Sequence, residues 1–179
     1  MKKVNMIMLV LVAFAINTTA VFAQSEAKKT KIIEDSKMAK MEFVKSDALM
    51  ANLFDSAAGY VIFPNVGKGG LGVGAAAGNG VVYEGGSMVG MAKLSQLSIG
   101  FQAGGQAYRE VIFFESQAQL DRFKESRFEF SAQASAVAAT EGASANVKYT
   151  DGVMVFTMQK GGLMYEASVG GQKFNYNKM

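Results

Sequence analysis

Hydrophobic and polar positions change their spacing several times along this chain. Met6 to Ile16 is an unbroken apolar run behind Lys2 and Lys3. Between residues 32 and 45, Ile32, Ile33, Ser36, Ala39, Phe43 and Val44 recur at roughly helical spacing, which predicts an amphipathic helix. Ser46-Asp47 offers an N-cap and a first-turn acid to a second, shorter helix carrying Leu49, Met50, Leu53 and Phe54 and ending before Gly59. From Gly59 the pattern is that of strands. Tyr60 to Phe63 predicts a short strand closed by a turn at Pro64-Asn65. Residues 67–80 are rich in glycine and alanine, a strand or loop, and Val81 to Tyr83 and Ser87 to Met91 predict further strands. Leu97, Ile99, Phe101 and Ala103 alternate with Ser98, Gly100 and Gln102, the period of a half-buried strand. Val111 to Phe114 is apolar on both faces and therefore central.

Ser116 with Gln119 three residues on predicts a capped helix whose apolar face holds Leu120 and Phe123, with Arg122, Lys124 and Arg127 off that face. Phe128, Phe130, Ala132, Ala134 and Ala136 then alternate with Glu129, Ser131, Gln133 and Ser135, the clearest strand pattern in the chain. Residues 140–151 predict a loop. Val153 to Met158, Leu163 to Val169 and Lys173 to Tyr176 predict closing strands, separated by Gly161-Gly162 and Gly170-Gly171. Many short strands with glycine punctuation and one proline predict an α+β fold: N-terminal helices packed on a curled antiparallel β-sheet, barrel- or sandwich-like, with one inserted short helix. No internal repeat is evident.

Composition narrows the chemistry. The 179 residues include no Cys, His or Trp, which removes disulfides, thiolate nucleophiles, thiolate metal sites and the commonest general base and metal ligand. No catalytic residue, metal or cofactor is expected, and the chain is expected not to be an enzyme. Residues 1–23 have the basic start, apolar run and small residues before a cut at Ala23 that predict a signal peptide, with 24–179 a single domain. The apolar run is short for a span of ~20 residues. The expected destination is export to the periplasm or an outer-membrane-associated cell envelope. The full chain has 18 basic and 15 acidic residues; without Lys2 and Lys3 the balance is 16 against 15, or +1. Net charge therefore predicts no attraction to nucleic acid, and any pull toward an anionic surface must come from local clustering.

The glycine-rich stretch lacks the Gly-x4-Gly-Lys-Ser/Thr spacing of a phosphate loop, and Gly72-x-Gly74-x3-Gly78 is one residue off the dinucleotide fingerprint, with no long amphipathic helix behind it. Gly70, Gly74 and Gly78 have small-xxx-small spacing, but Lys68 and Asn79 stand too close together for a membrane span. The scattered carboxylates, Glu84 to Glu166, give no pairing that spacing alone can establish. Arg122, Lys124 and Arg127 fall within six positions, and such a cluster either meets lipid phosphates or is an ordinary solvated face. Lys68, set among glycine amides, is a further candidate for anion contact.

Ala58-Gly-Tyr-Val-Ile-Phe-Pro-Asn-Val-Gly-Lys-Gly-Gly-Leu-Gly-Val-Gly74 resembles the opening signature of the SYLF (Ysc84-like) family. Ser98 to Gln106, Val111 to Phe114, Leu120-Asp121-Arg122-Phe123, Ala132 to Ala139 and Gly161 to Gly171 are similar to the blocks that follow it there. The resemblance covers roughly residues 30–175. Met154 to Gln159 departs from the family's Tyr-Ser-x-x-Lys-like run, keeping Lys160 and the glycines after it. The resemblance implies binding of anionic phospholipids or phosphoinositide-like headgroups, and it adds Lys160 to Lys68, Arg122, Lys124 and Arg127 as lipid-binding candidates. The expected partner is an anionic phospholipid membrane surface, with homo-oligomer formation possible. The alternative is a structural envelope protein that self-associates through its glycine-rich strands.

Overall fold

The computed structural model describes residues 25–131, 134–162 and 169–179. The expected signal peptide and the core of the expected strand at Leu163 to Val169 lie outside the described residues, as do Ala132 and Gln133. The architecture is α+β, with helices and a mostly antiparallel sheet that does not close among the described residues.

Helix α1 covers residues 25–46. Its buried positions Ser36, Ala39 and Phe43 are spaced by three and four, so they share one face. Phe43 and Ala39 join an apolar cluster with Tyr60, Ile62, Phe113 and Phe156. Asp47 follows α1 and joins two segments: its Oδ1 accepts from Leu49 N at 3.1 Å and its Oδ2 from Ser144 N at 2.8 Å. Helix α2, Met50–Ser56, then packs Met50 and Phe54 into the same cluster.

Most of the fold is one long hairpin, β1 (Gly59–Glu84) and β2 (Ser87–Phe114). The two-residue turn at Gly85-Gly86 has φ +53° and +78°, values that glycine adopts without a Cβ clash and that match the twist of a tight hairpin. The turn predicted at Pro64-Asn65 is a bulge instead. β1 continues through it, with the register against β2 shifting between Phe63 and Val66. Proline lacks an N–H, and a bulge is the place in a strand where that loss is tolerated. The strands predicted at Ser87 to Met91 and Leu97 to Ala103 are likewise parts of β2.

The hairpin is folded back on itself. A methyl group on Gly80 would lie 2.5 Å from the Ile62 carbonyl oxygen, one on Gly59 2.6 Å from that of Tyr83, and one on Gly78 3.0 Å from that of Asn65. The first and second halves of β1 thus lie against each other, backbone to backbone. Tyr60 and Tyr83 stack across that contact with centroids 4.8 Å apart. The glycine-rich stretch is neither loop nor membrane helix. It is strand whose missing side chains allow this approach.

Helix α3, Gln117–Lys124, follows β2. Ser116 stands at its N-cap position but makes no side-chain capping bond. The segment with the clearest alternation forms no long strand. Phe128, Phe130 and Ala136 are buried while Glu129, Ser131 and Ser135 are exposed, so the two-residue period is real. Its backbone is met by a loop: Phe130 N bonds Gln172 O, Gly171 N bonds Phe130 O and Val169 N bonds Ala134 O. A single bridge joins Glu129 to Lys173. Only β3, Val137–Ala138, enters the sheet, parallel to β4 (Val153–Gly162). β4 pairs with the outer half of β2, and β5 (Lys173–Lys178) pairs with residues 90–95 near the turn. The space between holds a second apolar cluster with Phe63, Phe114, Phe123, Phe128, Phe130 and Phe174. Among the described residues no helix is long and apolar enough to cross a membrane, which says nothing of strands.

Candidate functional site

The five cations singled out in the sequence lie in different surroundings. Lys68, expected at the surface, is 4% exposed and faces inward from β1. Its charge acts on Glu110, which is fully buried on β2. Gln172 Nε2 donates to Glu110 Oε2 at 3.0 Å and to the Tyr108 hydroxyl at 3.4 Å. Burial pushes the Glu110 carboxyl up to about 8, against the opposing pull of the Gln172 hydrogen bond and the Lys68 charge. Burial and the neighbouring Glu110 also raise the Tyr108 phenol. Glu110 Oε1 and Gln172 Oε1 have no hydrogen-bond partner among the described residues. Lys68 therefore belongs to an internal polar group. Headgroup contact would require its ammonium to leave this buried polar group, where it faces Glu110.

Arg122, Lys124 and Arg127 do not converge. Positions 122 and 124 are about 200° apart around a helix, and Arg127 lies beyond the end of α3, after Ser126 at φ +57°. Lys124 Nζ is 2.9 Å from Glu84 Oε2 and 3.2 Å from Asp121 Oδ1. Gln117 Nε2 completes the arrangement, 2.7 Å from Glu84 Oε1 and 2.9 Å from Asp121 Oδ1. Burial opposes the Lys124 charge, but these hydrogen bonds outweigh it and hold the ammonium above the ordinary lysine range. The group fastens α3 to the end of β1, so Lys124 is already engaged. Arg127 pairs with Glu125 at 3.1 Å.

Arg122 is different. Among the described residues its side chain donates to Gln119 at a long 3.4 Å, and both line an open groove of about 1060 Å³. Buried Phe128, Phe130, Val153, Met154 and Val155 also line this groove, and exposed Arg122, Lys148, Glu129 and Asp151 stand along it. Lys173 lies 3.6 Å from Glu129 and offsets part of that acid's charge. The arrangement is an apolar floor with charged groups at its edge, suited to an amphiphile whose tail is buried and whose head stays wet. Lys148 carries no sequence signal, since it sits alone in a small, polar loop 26 residues from Arg122 along the chain. Lys160 lies elsewhere, donating to Asn65 Oδ1. Among the described residues no group of acids could hold a metal ion.

Residues 95–178 match a family model described as "Ysc84: Las17-binding protein actin regulator". This span holds most of β2, α3, the groove segments, β4 and β5. The chain is also 32% identical over 75 residues to Beta cell expansion factor A of Aeromonas veronii, an alignment covering 42% of this chain and 29% of that relative. The chain thus matches less than a third of the length of that curated relative. The segment matching the Ysc84, or SYLF, family model, residues 95–178, carries the groove and its cations.

Proposed function

We propose that this chain is a non-catalytic binding module that associates with anionic phospholipid surfaces, through the groove beside α3. The carrying observation is the groove itself: buried Phe128, Phe130, Val153 and Val155, with weakly held Arg122 and exposed Lys148 at its edge. Apolar area accounts for affinity at about 25 cal/mol per Å² removed from water, and each cation near an anionic surface adds about 1 kcal/mol. A family of binding modules agrees with this reading, and the absence of Cys and His from the sequence removes the usual catalytic groups. The α1 and α2 faces that cover the sheet complete the curled, half-open shape. Export to the periplasm or outer-membrane-associated envelope, through the leader at 1–23, puts such a module beside lipid.

Co-sedimentation with vesicles tests this. Pelleting with phosphatidylglycerol-containing vesicles and not with phosphatidylcholine alone is expected, weakened by salt. The double variant Arg122→Gln/Lys148→Gln should lower pelleting severalfold. Equal pelleting of variant and parent, or equal pelleting with both vesicles, rejects the groove as the lipid site.

One observation favours a second reading, self-association through the glycine-rich strands. Val73 and Leu97 are 62% and 79% exposed, and they share a sheet face with exposed Ala75 and Ala77. Small residues around two bare apolar side chains let another sheet approach closely.

A further inference from the structure

At the far end of β4 from the groove, three cations meet where α1, β1, β2 and β4 come together. Two bulges make the meeting possible. In β1 the register against β2 skips Pro64-Asn65, and in β4 Lys160 is the extra residue between Gln159, opposite Tyr108, and Gly161, opposite Ala107. Bulges re-aim side chains. Here they bring Asn65 and Lys160 into a hydrogen bond although β2 runs between their strands. Arg109 sits on β2 between Tyr108 and Glu110, which places it beside the β1 bulge and opposite Met158 of β4.

The charges are unequal. Asn65 Nδ2 donates to Asp35 Oδ2 at 3.2 Å, and Lys31 reaches both oxygens of Asp35 at 3.0 and 2.9 Å. That one carboxylate pairs with Lys31, and the charges of Asp35, Lys31 and Arg109 all act on Lys160, three cations against one acid. Burial and the charge of Arg109 lower the Lys160 ammonium, with Asp35 opposing and Lys31 adding to the repulsion. Arg109 is half-buried and carries a planar fork of N–H donors. Its hydrogen-bond partner among the described residues is the Met158 sulfur at 3.9 Å, a weak acceptor. A partly desolvated guanidinium held against a thioether, with like charges nearby, has lost hydration without gaining an oxygen. An oxyanion supplies both the acceptors and the charge.

We propose that Arg109, Lys160 and Lys31 form a phosphoryl-binding site, which takes inorganic phosphate or the phosphomonoester of a larger ligand between the Arg109 fork and the Lys160 ammonium. A phosphomonoester carries about −1.5 to −2 at pH 7 and three acceptor oxygens, matching the local excess, whereas a carboxylate would leave one charge unmet. The site is separate from the groove. Val155 and Lys160 are five positions apart along β4, roughly 17 Å at 3.3 Å per residue.

The test is a titration of the full chain with inorganic phosphate at pH 7 and constant ionic strength, followed through the Arg109 Nε–Hε NMR signal in the parent and through the backbone amide signals of residues 107–110 and 158–160 in parent and variants alike. A saturable shift is expected, weakened about tenfold or more by Arg109→Gln and by Lys160→Gln, as fits loss of a charge-assisted hydrogen bond. Lys31→Gln, at a well-exposed position, should weaken it severalfold and guards against a core variant that fails to fold. Arg122→Gln/Lys148→Gln should leave it unchanged, which separates this site from the groove reading. Vesicles containing phosphatidic acid identify the source. Capture that free phosphate competes away and Arg109→Gln abolishes supports the site with a lipid monoester as its ligand. Phosphate binding without Arg109-dependent capture supports it with a soluble one. No saturable shift, or unchanged affinity in both Arg109→Gln and Lys160→Gln, overturns the proposal.

Discussion

Glu110 shows how a single side chain couples this fold to pH. It is fully buried beside Lys68, Tyr108 and Gln172, and its carboxyl titrates near 8 in the folded chain against an ordinary value of 4.5. The folded state therefore binds this proton more tightly than the unfolded state does. The resulting stabilisation is complete below about 4.5 and is lost as pH rises toward about 8. Glu110→Gln imitates the protonated form and cannot ionise. Melting temperatures measured from pH 5 to pH 9 should show the variant gaining on the parent as pH rises; parallel curves would place the ionised carboxylate in a better-solvated setting. Gly80 shows a different constraint at the same scale. A methyl group there would meet the Ile62 carbonyl at 2.5 Å, and backbone cannot swing aside as a side-chain tip can. Gly80→Ala should cost about 1–3 kcal/mol, the usual range for overpacking, measured by urea unfolding; no loss would mean that the two halves of β1 separate freely.

At the scale of elements, α3 is held by two kinds of contact of unequal weight. Phe123 and Leu120 enter the core completely, and Phe123 lies within 5.1–6.2 Å, centroid to centroid, of Phe114, Phe128 and Phe174. Phe123→Ala should destabilise by about 3–5 kcal/mol, the cost of a large-to-small change in a packed core. The Lys124–Glu84–Asp121 group is partly exposed, and such pairs contribute about 0–1 kcal/mol each. Lys124→Gln should thus lower stability only slightly in the same denaturation assay. It should also leave vesicle pelleting intact, since that ammonium is occupied by carboxylates; a large drop in pelleting would return Lys124 to the lipid site. The segment 128–136 follows the same logic. Its rings pack inward at every second residue, so its alternation records burial, while its backbone bonds go to residues 169–172.

Across the whole molecule, one hairpin folded on itself makes the two apolar clusters. Its outer half pairs with β4 and its half near the turn with β5. The curl leaves three distinct surfaces: the groove beside α3, the cation junction at the β1 and β4 bulges, and the small-residue face around Val73 and Leu97. The last gives a prediction for the intact chain. If that face mediates self-association, Leu97→Ser should shift the species seen by analytical ultracentrifugation toward monomer; an unchanged sedimentation profile leaves the strands without an assembling role.

The sequence by itself determined what depends on neighbours in the chain. Helical spacing of Ala39 and Phe43, the two-residue period around Phe128, the start of α3 at Ser116 and the absence of Cys and His chemistry all follow from local pattern and composition. The SYLF resemblance was also legible, because it rests on ordered blocks of residues. Tertiary structure alone decided which charges meet. Arg122, Lys124 and Arg127 are neighbours in sequence, yet helix geometry and nearby acids part them, while Arg122 and Lys148, or Lys31, Arg109 and Lys160, come together from distant positions. Strand bulges and the fold-back of β1 fix those encounters. Both arise from long-range backbone contact, which leaves no period in the sequence beyond the glycines that permit it.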